Sequence, residues 1–496
     1  MAANFLGRIS SILLAVIFTP YYIHVLGMEG YGLIGFYITL HASIGFLEMG
    51  LSRACNRELS RYSGEGSRAY KFMRDTLRSI EAIYWAIALI IGIGLSSLSQ
   101  LIASSWLSTS YLSQKDLAQL IIIIAWIIAL RWPSGVYIGA LMGLQKQVKM
   151  NVVQTLLGII NWGGSALVLW LIRPDLYGFF YWQIFVSVFS TSLFVWLAWR
   201  EMPQSEARAN FSKKVLREIF PFVTGVGANA ILGTLLRQAD KLLLSAMLPL
   251  KQFAYYALAT VIANVIALIA DAVSNATFPR FSQLVGTKEK VTTIIALYRF
   301  GTQAVASLIV PISLAIAFFS YEFLYVYTNS HGVAQNASPI LSVLVIAKML
   351  HSSMMIPYAV QLAYGWTRMS VMINAASLAL LLITIPFLVN AYGAVGAAIS
   401  WLCVTLVYVL VGMPLMHKKL LIGELRKWFE NSLLRPAIAV GVFLFVVSWV
   451  GGTAESGRWM TSLQLIGVFS GSVIVAILSL RELRIRVVEE IKRGMI

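Results

Sequence analysis

Carboxylates are scarce in this chain: 21 Asp and Glu stand against 38 Lys and Arg in 496 residues. Charged side chains of both signs reach only 12%, about half the share found in soluble globular domains, which excludes a water-bathed fold of this length. Cysteine is almost missing. Cys55 and Cys403 are too few and too far apart in sequence for a disulfide framework or a metal cluster, and a lone buried cysteine behaves as a small hydrophobe. No GxxxxGK[ST] phosphate loop occurs, which argues against ATP-driven work by this chain itself.

Apolar residues fill the gap, at 59%. Runs long enough to cross a bilayer predict an all-α polytopic membrane protein of fourteen helices, near 3–25, 33–52, 80–102, 117–143, 150–172, 177–199, 219–246, 253–282, 292–319, 339–363, 370–389, 394–416, 433–450 and 460–480. The first run resembles a signal peptide in length, but no small-residue cleavage site follows it, so it reads as a retained helix. Basic residues concentrate in alternate loops such as RACNRELSRY and HKKLLIGELRK. The positive-inside rule then places both termini in the cytoplasm. The net charge of +17 therefore needs no nucleic acid to explain it. The opposite loops are short, the longest surrounding YTNSHGVAQNASP, and leave no room for an external catalytic domain.

The chain repeats itself. VLGMEGYGLIGFYITL (Val25 to Leu40) aligns with MLPLKQFAYYALATVI (Met247 to Ile262), and LMGLQKQVKMNVV (Leu141 to Val153) aligns with LAYGWTRMSVMIN (Leu362 to Asn374). DLYGFFYWQ (Asp175 to Gln183) matches AYGAVGAAISW (Ala391 to Trp401). His41, Glu48 and Ser52 answer Asn264, Asp271 and Asn275 with the same spacings, which on a continuous helix keeps each trio on one face. These matches predict a parallel duplication: 1–205 as an N-terminal six-helix lobe, 206–420 as a C-terminal six-helix lobe, and 421–496 as two further helices with a tail.

DKLLLSAMLPLKQFAYYALA (Asp240 to Ala259), LGMEGYGLIGFY and NAYGAVGAAISWL (Asn390 to Leu402), with the duplication, resemble the polysaccharide flippases of the multidrug/oligosaccharidyl-lipid/polysaccharide exporter superfamily. The resemblance covers helices 1 to 12 and is nearest to the bacterial O-antigen flippases. It implies two six-helix bundles around a central cavity and movement of undecaprenyl-diphosphate-linked oligosaccharide to the periplasmic leaflet of the inner membrane by alternating access. An O-antigen polymerase and chain-length regulator are the partners it suggests. Fourteen helices depart from the commonest O-antigen pattern and are similar to the lipid II flippases. A lipid II or other cell-wall lipid flippase, a cation-coupled drug exporter, and an O-antigen polymerase or ligase enzyme remain as alternatives.

Charges inside the predicted spans fit such cargo. At 1.5 Å per residue, Arg131 and Lys348 fall within about 5 Å of the bilayer centre, at nearly corresponding places in the two halves. Arg237, Asp240 and Lys241 share a polar face of helix 7 about 120° wide, with Arg237 and Asp240 spaced to pair. Arg8, Glu48 and Asp271 lie toward the cytoplasmic side. Five cations (Arg8, Arg131, Arg237, Lys241, Lys348) against three carboxylates (Glu48, Asp240, Asp271) leave a surplus of two positive charges, suited to one diphosphate. Arg131 and Lys348 are expected to contact it, with Arg237, Lys241 and Arg8 as further substrate contacts. Asp240, Asp271, Glu48, Asn264, Asn275 and His41 are expected to gate or to couple transport to a proton or sodium ion; no other cofactor and no metal are expected. Plainer roles stand beside these: Arg8 and Glu48 suit a structural pair, Arg237 and Lys241 can snorkel, and His41 and His351 suit satisfied core positions. Tyr255, Tyr256, Trp401 and Tyr408 suit either sugar stacking or an interfacial belt.

Overall fold

The computed structural model describes residues 2–48, 50–287, 291–450 and 457–480. Among these residues the chain is helical almost throughout; an isolated bridge joins Ser108 to Pro249. It forms two compact units, 1–254 and 255–496.

The first unit holds α1 (Ala2–Ile44), α2 (Leu51–Tyr62), α3 (Ser67–Ser97), α4 (Gln114–Arg131), α5 (Ser134–Gly143), α6 (Gln147–Leu171), α7 (Leu176–Glu201) and α8 (Lys213–Met247). The second is built from α9 (Leu250–Gly286), whose first turn belongs to the first unit, then α10 (Val291–Phe318), α11 (Ser320–Thr328), α12 (His331–Ser353), α13 (Met355–Ala363) and α14 (Thr367–Tyr392). It closes with α15 (Ala394–Val407), α16 (Met413–Leu420), α17 (Arg435–Val450) and α18 (Arg458–Ser479).

Twelve described helical stretches are long and apolar enough to span a bilayer, against the fourteen expected. Expected helices 1 and 2 form one element, broken at Gly27, where φ is 70°. The expected seventh helix is present as α8, but part of its side chains lies outside the described residues and it is not among the twelve.

The unit boundary falls later than the sequence repeat places it, for a visible reason. The segment joining the two repeats is bonded to α3: the Asn210 amide donates to Asp75 at 2.8 Å, the Ser212 amide to Ser79 at 2.8 Å, and Arg74 to the Pro203 carbonyl at 3.3 Å. This strap lays α8 against α1 and α3 within the first unit. In the second unit the added helices α17 and α18 pack on α10 through Ala315, Phe319, Val440, Leu444, Leu465 and Val468.

Two local backbone features recur near the expected matches. Gln145 and Gly365 both adopt a left-handed conformation, with φ of 59° and 67°. The next amide reaches back the same distance in each turn, Lys146 to Leu141 and Trp366 to Gln361. The structural register therefore pairs Leu141 with Gln361, one residue off the sequence alignment with Leu362. Similarly, Gly178 and Gly396 stand near the starts of α7 and α15, where a Cβ would lie 2.3 Å from the Arg173 carbonyl oxygen and 1.9 Å from that of Leu388.

At the end carrying the basic loops, the second unit is clamped. Arg299 donates twice to Glu424, at 2.7 Å each, Lys427 adds a bond at 3.2 Å, and Tyr298 meets His417 at 2.7 Å. The Arg299 guanidinium first, then Lys427, hold the nearly buried Glu424 carboxyl below the usual carboxylate range. Because the folded-state pKa is the lower one, the clamp stabilises fully above the free-glutamate value of about 4.3 and is lost as pH falls through the depressed folded value. Glu424→Gln is expected to cost about 2 kcal/mol near neutral pH and to flatten the acid limb of a thermal-unfolding pH series on purified protein.

Candidate functional site

A proline sets up the first unit's site. Pro133 lacks an N–H, and the helix that would have run over 117–143 breaks into α4 and α5 just past Arg131. The exposed carbonyls find side-chain donors: Thr191 bonds Leu130 at 2.8 Å and Ser134 bonds Arg131 at 2.6 Å. Arg131 is thereby fixed at a broken turn within an apolar span.

Among the described residues its guanidinium meets only neutral oxygens. Nη1 donates to the Tyr37 hydroxyl at 3.1 Å, and Nη2 to Asn161 Oδ1 at 3.1 Å and Gln183 Oε1 at 3.5 Å. Gln183 is itself oriented by Ser165 at 3.0 Å. Three of five N–H donors are thus used, leaving two for a ligand. No carboxylate pairs with Arg131 among the described residues. Neutral acceptors satisfy hydrogen bonds but leave the charge in place, so the half-buried site attracts an anion.

The second unit presents a cation in the corresponding span. Lys348 on α12 sits 5.5 Å over the Trp401 ring, half-buried. One turn along, His351 packs edge-on against Tyr408, which bonds Asn374. Trp401 and Tyr408, expected as sugar platforms or belt residues, are neighbours of this cation and its histidine. Tyr255 and Tyr256 are buried and offer no platform.

Sequence reasoning located Arg131 and Lys348 but missed Tyr37, Asn161, Gln183 and Asn374. A signal existed: Asn161 and Asn374 are lone amides inside GIINWGGSALVLWL and VMINAASLALLL, in matching spans of the duplication.

The other expected residues separate into groups. On α8, the spacing predicted an Arg237–Asp240 pair; instead buried Asp240 pairs with adjacent Lys241 at 3.2 Å. Lys241 also donates to the Arg237 carbonyl at 2.9 Å, while exposed Arg237 hydrogen-bonds only Thr234, at 3.4 Å, among the described residues. The short tether between neighbouring side chains wins because Lys241 can curl back over its own turn.

His41, Glu48 and Ser52 do not share a helical face. A 3₁₀ turn at Gly45–Glu48 and Gly50 at φ 87° interrupt the helix between them. His41 stays near the Arg131 group, its ring 6.3 Å from that of Tyr37. Glu48 sits beside Ser52, Arg53 and Tyr84, and Arg53 is also within electrostatic reach of Arg237. Asn264, exposed Asp271 and exposed Asn275 do share one face, on the unbroken α9. The side chain of Arg8 lies outside the described residues.

Comparison with known proteins concerns the chain as a whole. The family described as "Polysaccharide biosynthesis protein" matches residues 1–285, and the MatE family matches 226–388. A Shigella flexneri protein named for O-antigen transport is 24% identical over 192 residues, 39% of this chain; the match spans 45% of that relative's length. A lipid II flippase, MurJ in an inward closed conformation, superposes with a TM-score of 0.71 at 14% identity, covering 96% of this chain and 97% of its own. An inward-facing multidrug resistance transporter of the MATE family, in the MOP superfamily, gives 0.66 at 15% identity over 84% and 95%. Its fold is shared with these carriers, and with more than half its length matched by the family, this multi-pass membrane protein belongs to the polysaccharide biosynthesis protein family.

Proposed function

We propose that the protein is a flippase, not an enzyme, that moves undecaprenyl-diphosphate-linked O-antigen oligosaccharide from the cytoplasmic to the periplasmic leaflet of a bacterial inner membrane. The basic loops then face the cytoplasm, with both termini. The observation that carries this reading is Arg131: a guanidinium inside an apolar span, oriented by three neutral oxygens and free of a carboxylate partner among the described residues. A diphosphate is the anion such a fork suits, and Lys348 supplies a second, point-like charge. Arg237 and the Asp240–Lys241 pair form a release gate, and Asp271 with Glu48 couples movement to a proton or sodium gradient.

The superposition with a lipid II flippase over nearly the whole chain favours a second reading, a cell-wall lipid with the same diphosphate. The test is a proteoliposome assay in which lipid-linked oligosaccharide becomes accessible to an added glycosidase. Faster exposure of O-antigen lipid than of lipid II supports the first reading; the reverse order selects the second. Coupling is checked by imposing pH and sodium gradients on the same vesicles, and a rate indifferent to both removes Asp271 and Glu48 from the account.

A further inference from the structure

A polar pocket in the first unit is lined by none of the residues around Arg131. It has a volume of about 500 Å³ and is lined by Asn56, Ser60, Met142, Gln145 and Gln147, where α2 crosses α5 and the chain turns into α6. Its floor is a close helix crossing. A Cβ at Gly139 would lie 2.5 Å from the Ser52 carbonyl oxygen, and one at Gly143 would lie 2.7 Å from that of Asn56, so the two backbones meet directly. Ser60 bonds the Gly143 carbonyl at 3.1 Å and Asn56 Oδ1 at 3.3 Å, and Gln147 reaches the Met142 carbonyl at 3.4 Å.

Every polar side chain in this lining is neutral. The two lysines nearby in sequence, Lys146 between Gln145 and Gln147 and Lys149 just beyond, are engaged elsewhere, both holding Glu201, at 3.1 and 2.5 Å. The pocket is therefore poorly suited to phosphate and well suited to hydroxyl groups, which amides meet as donor and acceptor together.

Gln145 strengthens the case. It holds a left-handed conformation that a non-glycine residue adopts at a cost of roughly 1 kcal/mol or more, whereas the matching turn of the second unit uses Gly365. The turn itself needs no side chain there. The Gln145 backbone N–H bonds the Met142 carbonyl at 3.1 Å, but its exposed side-chain amide makes no hydrogen bond with the described residues, so the side chain gives folding no return for the strain.

We infer that Asn56, Ser60, Gln145 and Gln147 form a subsite for neutral sugar hydroxyls of the lipid-linked oligosaccharide, on the end of the first unit that carries the basic loops. The inference rests on the flippase reading. In it, the cations recognise the diphosphate common to such lipids, and the amide pocket recognises what distinguishes one glycan from another.

The test measures binding to purified full-length protein in nanodiscs of two probes: lipid-linked oligosaccharide extracted from the producing cells, and undecaprenyl diphosphate without sugar. Wild type is expected to prefer the glycosylated probe about tenfold, the scale of one or two hydrogen bonds. Gln145→Gly, which adopts the conformation of Gly365, and Asn56→Ala are expected to lose that preference while keeping their affinity for the bare diphosphate. Retained preference in both variants overturns the subsite and leaves the flippase reading standing. Wild-type binding of both probes with equal affinity also overturns the subsite alone. Failure of wild type to bind either probe overturns both.

Discussion

Arg131→Ala is expected to cut surface glycan about ten- to a hundredfold at unchanged membrane abundance. Among the described residues the guanidinium has two unused donors and no compensating carboxylate, and charged hydrogen bonds to a diphosphate are worth about 1.5–3 kcal/mol, which is one to two decades in affinity. The fold should survive, because two stability effects oppose each other. Tyr37, Asn161 and Gln183 lose a common donor, at about 1–3 kcal/mol. Against that, removing a charge from an apolar span recovers about 2.5–3.5 kcal/mol. Lys348→Ala should behave alike with a smaller effect, since an ammonium grips phosphate without a fork. Arg131→Lys is expected to fall between wild type and alanine. Surface glycan is read by lipopolysaccharide gel, and membrane abundance by immunoblot of the same cells.

Gly396→Ala is expected to remove most of the protein from the membrane. Its Cβ would meet the Leu388 carbonyl oxygen at 1.9 Å, the Leu388 carbonyl carbon at 2.3 Å and the Val389 nitrogen at 2.8 Å. All three are backbone atoms, so no rotamer can relieve the contact, and α15 must move off the end of α14. Overpacking of an ordinary core costs about 1–3 kcal/mol, and a clash with main chain belongs at or beyond the top of that range. Gly178→Ala, with its nearest contact at 2.3 Å, should be the milder of the pair. Gly441→Ala is the control: nothing lies within 4 Å of a Cβ there, so alanine should hold or slightly raise stability by its helix propensity. Unfolding midpoints in detergent should rank Gly396→Ala lowest, then Gly178→Ala, with Gly441→Ala at or above wild type.

These two results bear on how far the sequence could be read. The AYGAVGAAISW and DLYGFFYWQ echoes each contain a glycine, Gly396 and Gly178, whose Cβ would meet a main-chain carbonyl oxygen, so a shared packing demand lies behind part of the match. Arg131 and Lys348 were legible because a cation deep in an apolar run stands out at any register. The neutral oxygens around Arg131 were not, since Asn, Gln and Tyr are common enough that only tertiary packing marks three of them as one shell. The single-face reading of His41, Glu48 and Ser52 failed at Gly45–Glu48, where the chain takes a 3₁₀ turn and then a left-handed glycine. Helical periodicity assumes continuity and cannot register such a break. The Arg237–Asp240 pairing failed for a related reason: spacing specifies who is within reach, and Lys241 reached Asp240 first.

The account stands on diphosphate recognition by the two half-buried cations, and one reconstitution tests it most directly. Wild-type protein and the Arg131→Ala/Lys348→Ala double variant are incorporated at equal density into proteoliposomes carrying lipid-linked oligosaccharide, and glycan exposure is followed with an added glycosidase. The account predicts rapid exposure for wild type and a rate near that of protein-free vesicles for the double variant. Equal rates for the two proteins would contradict it.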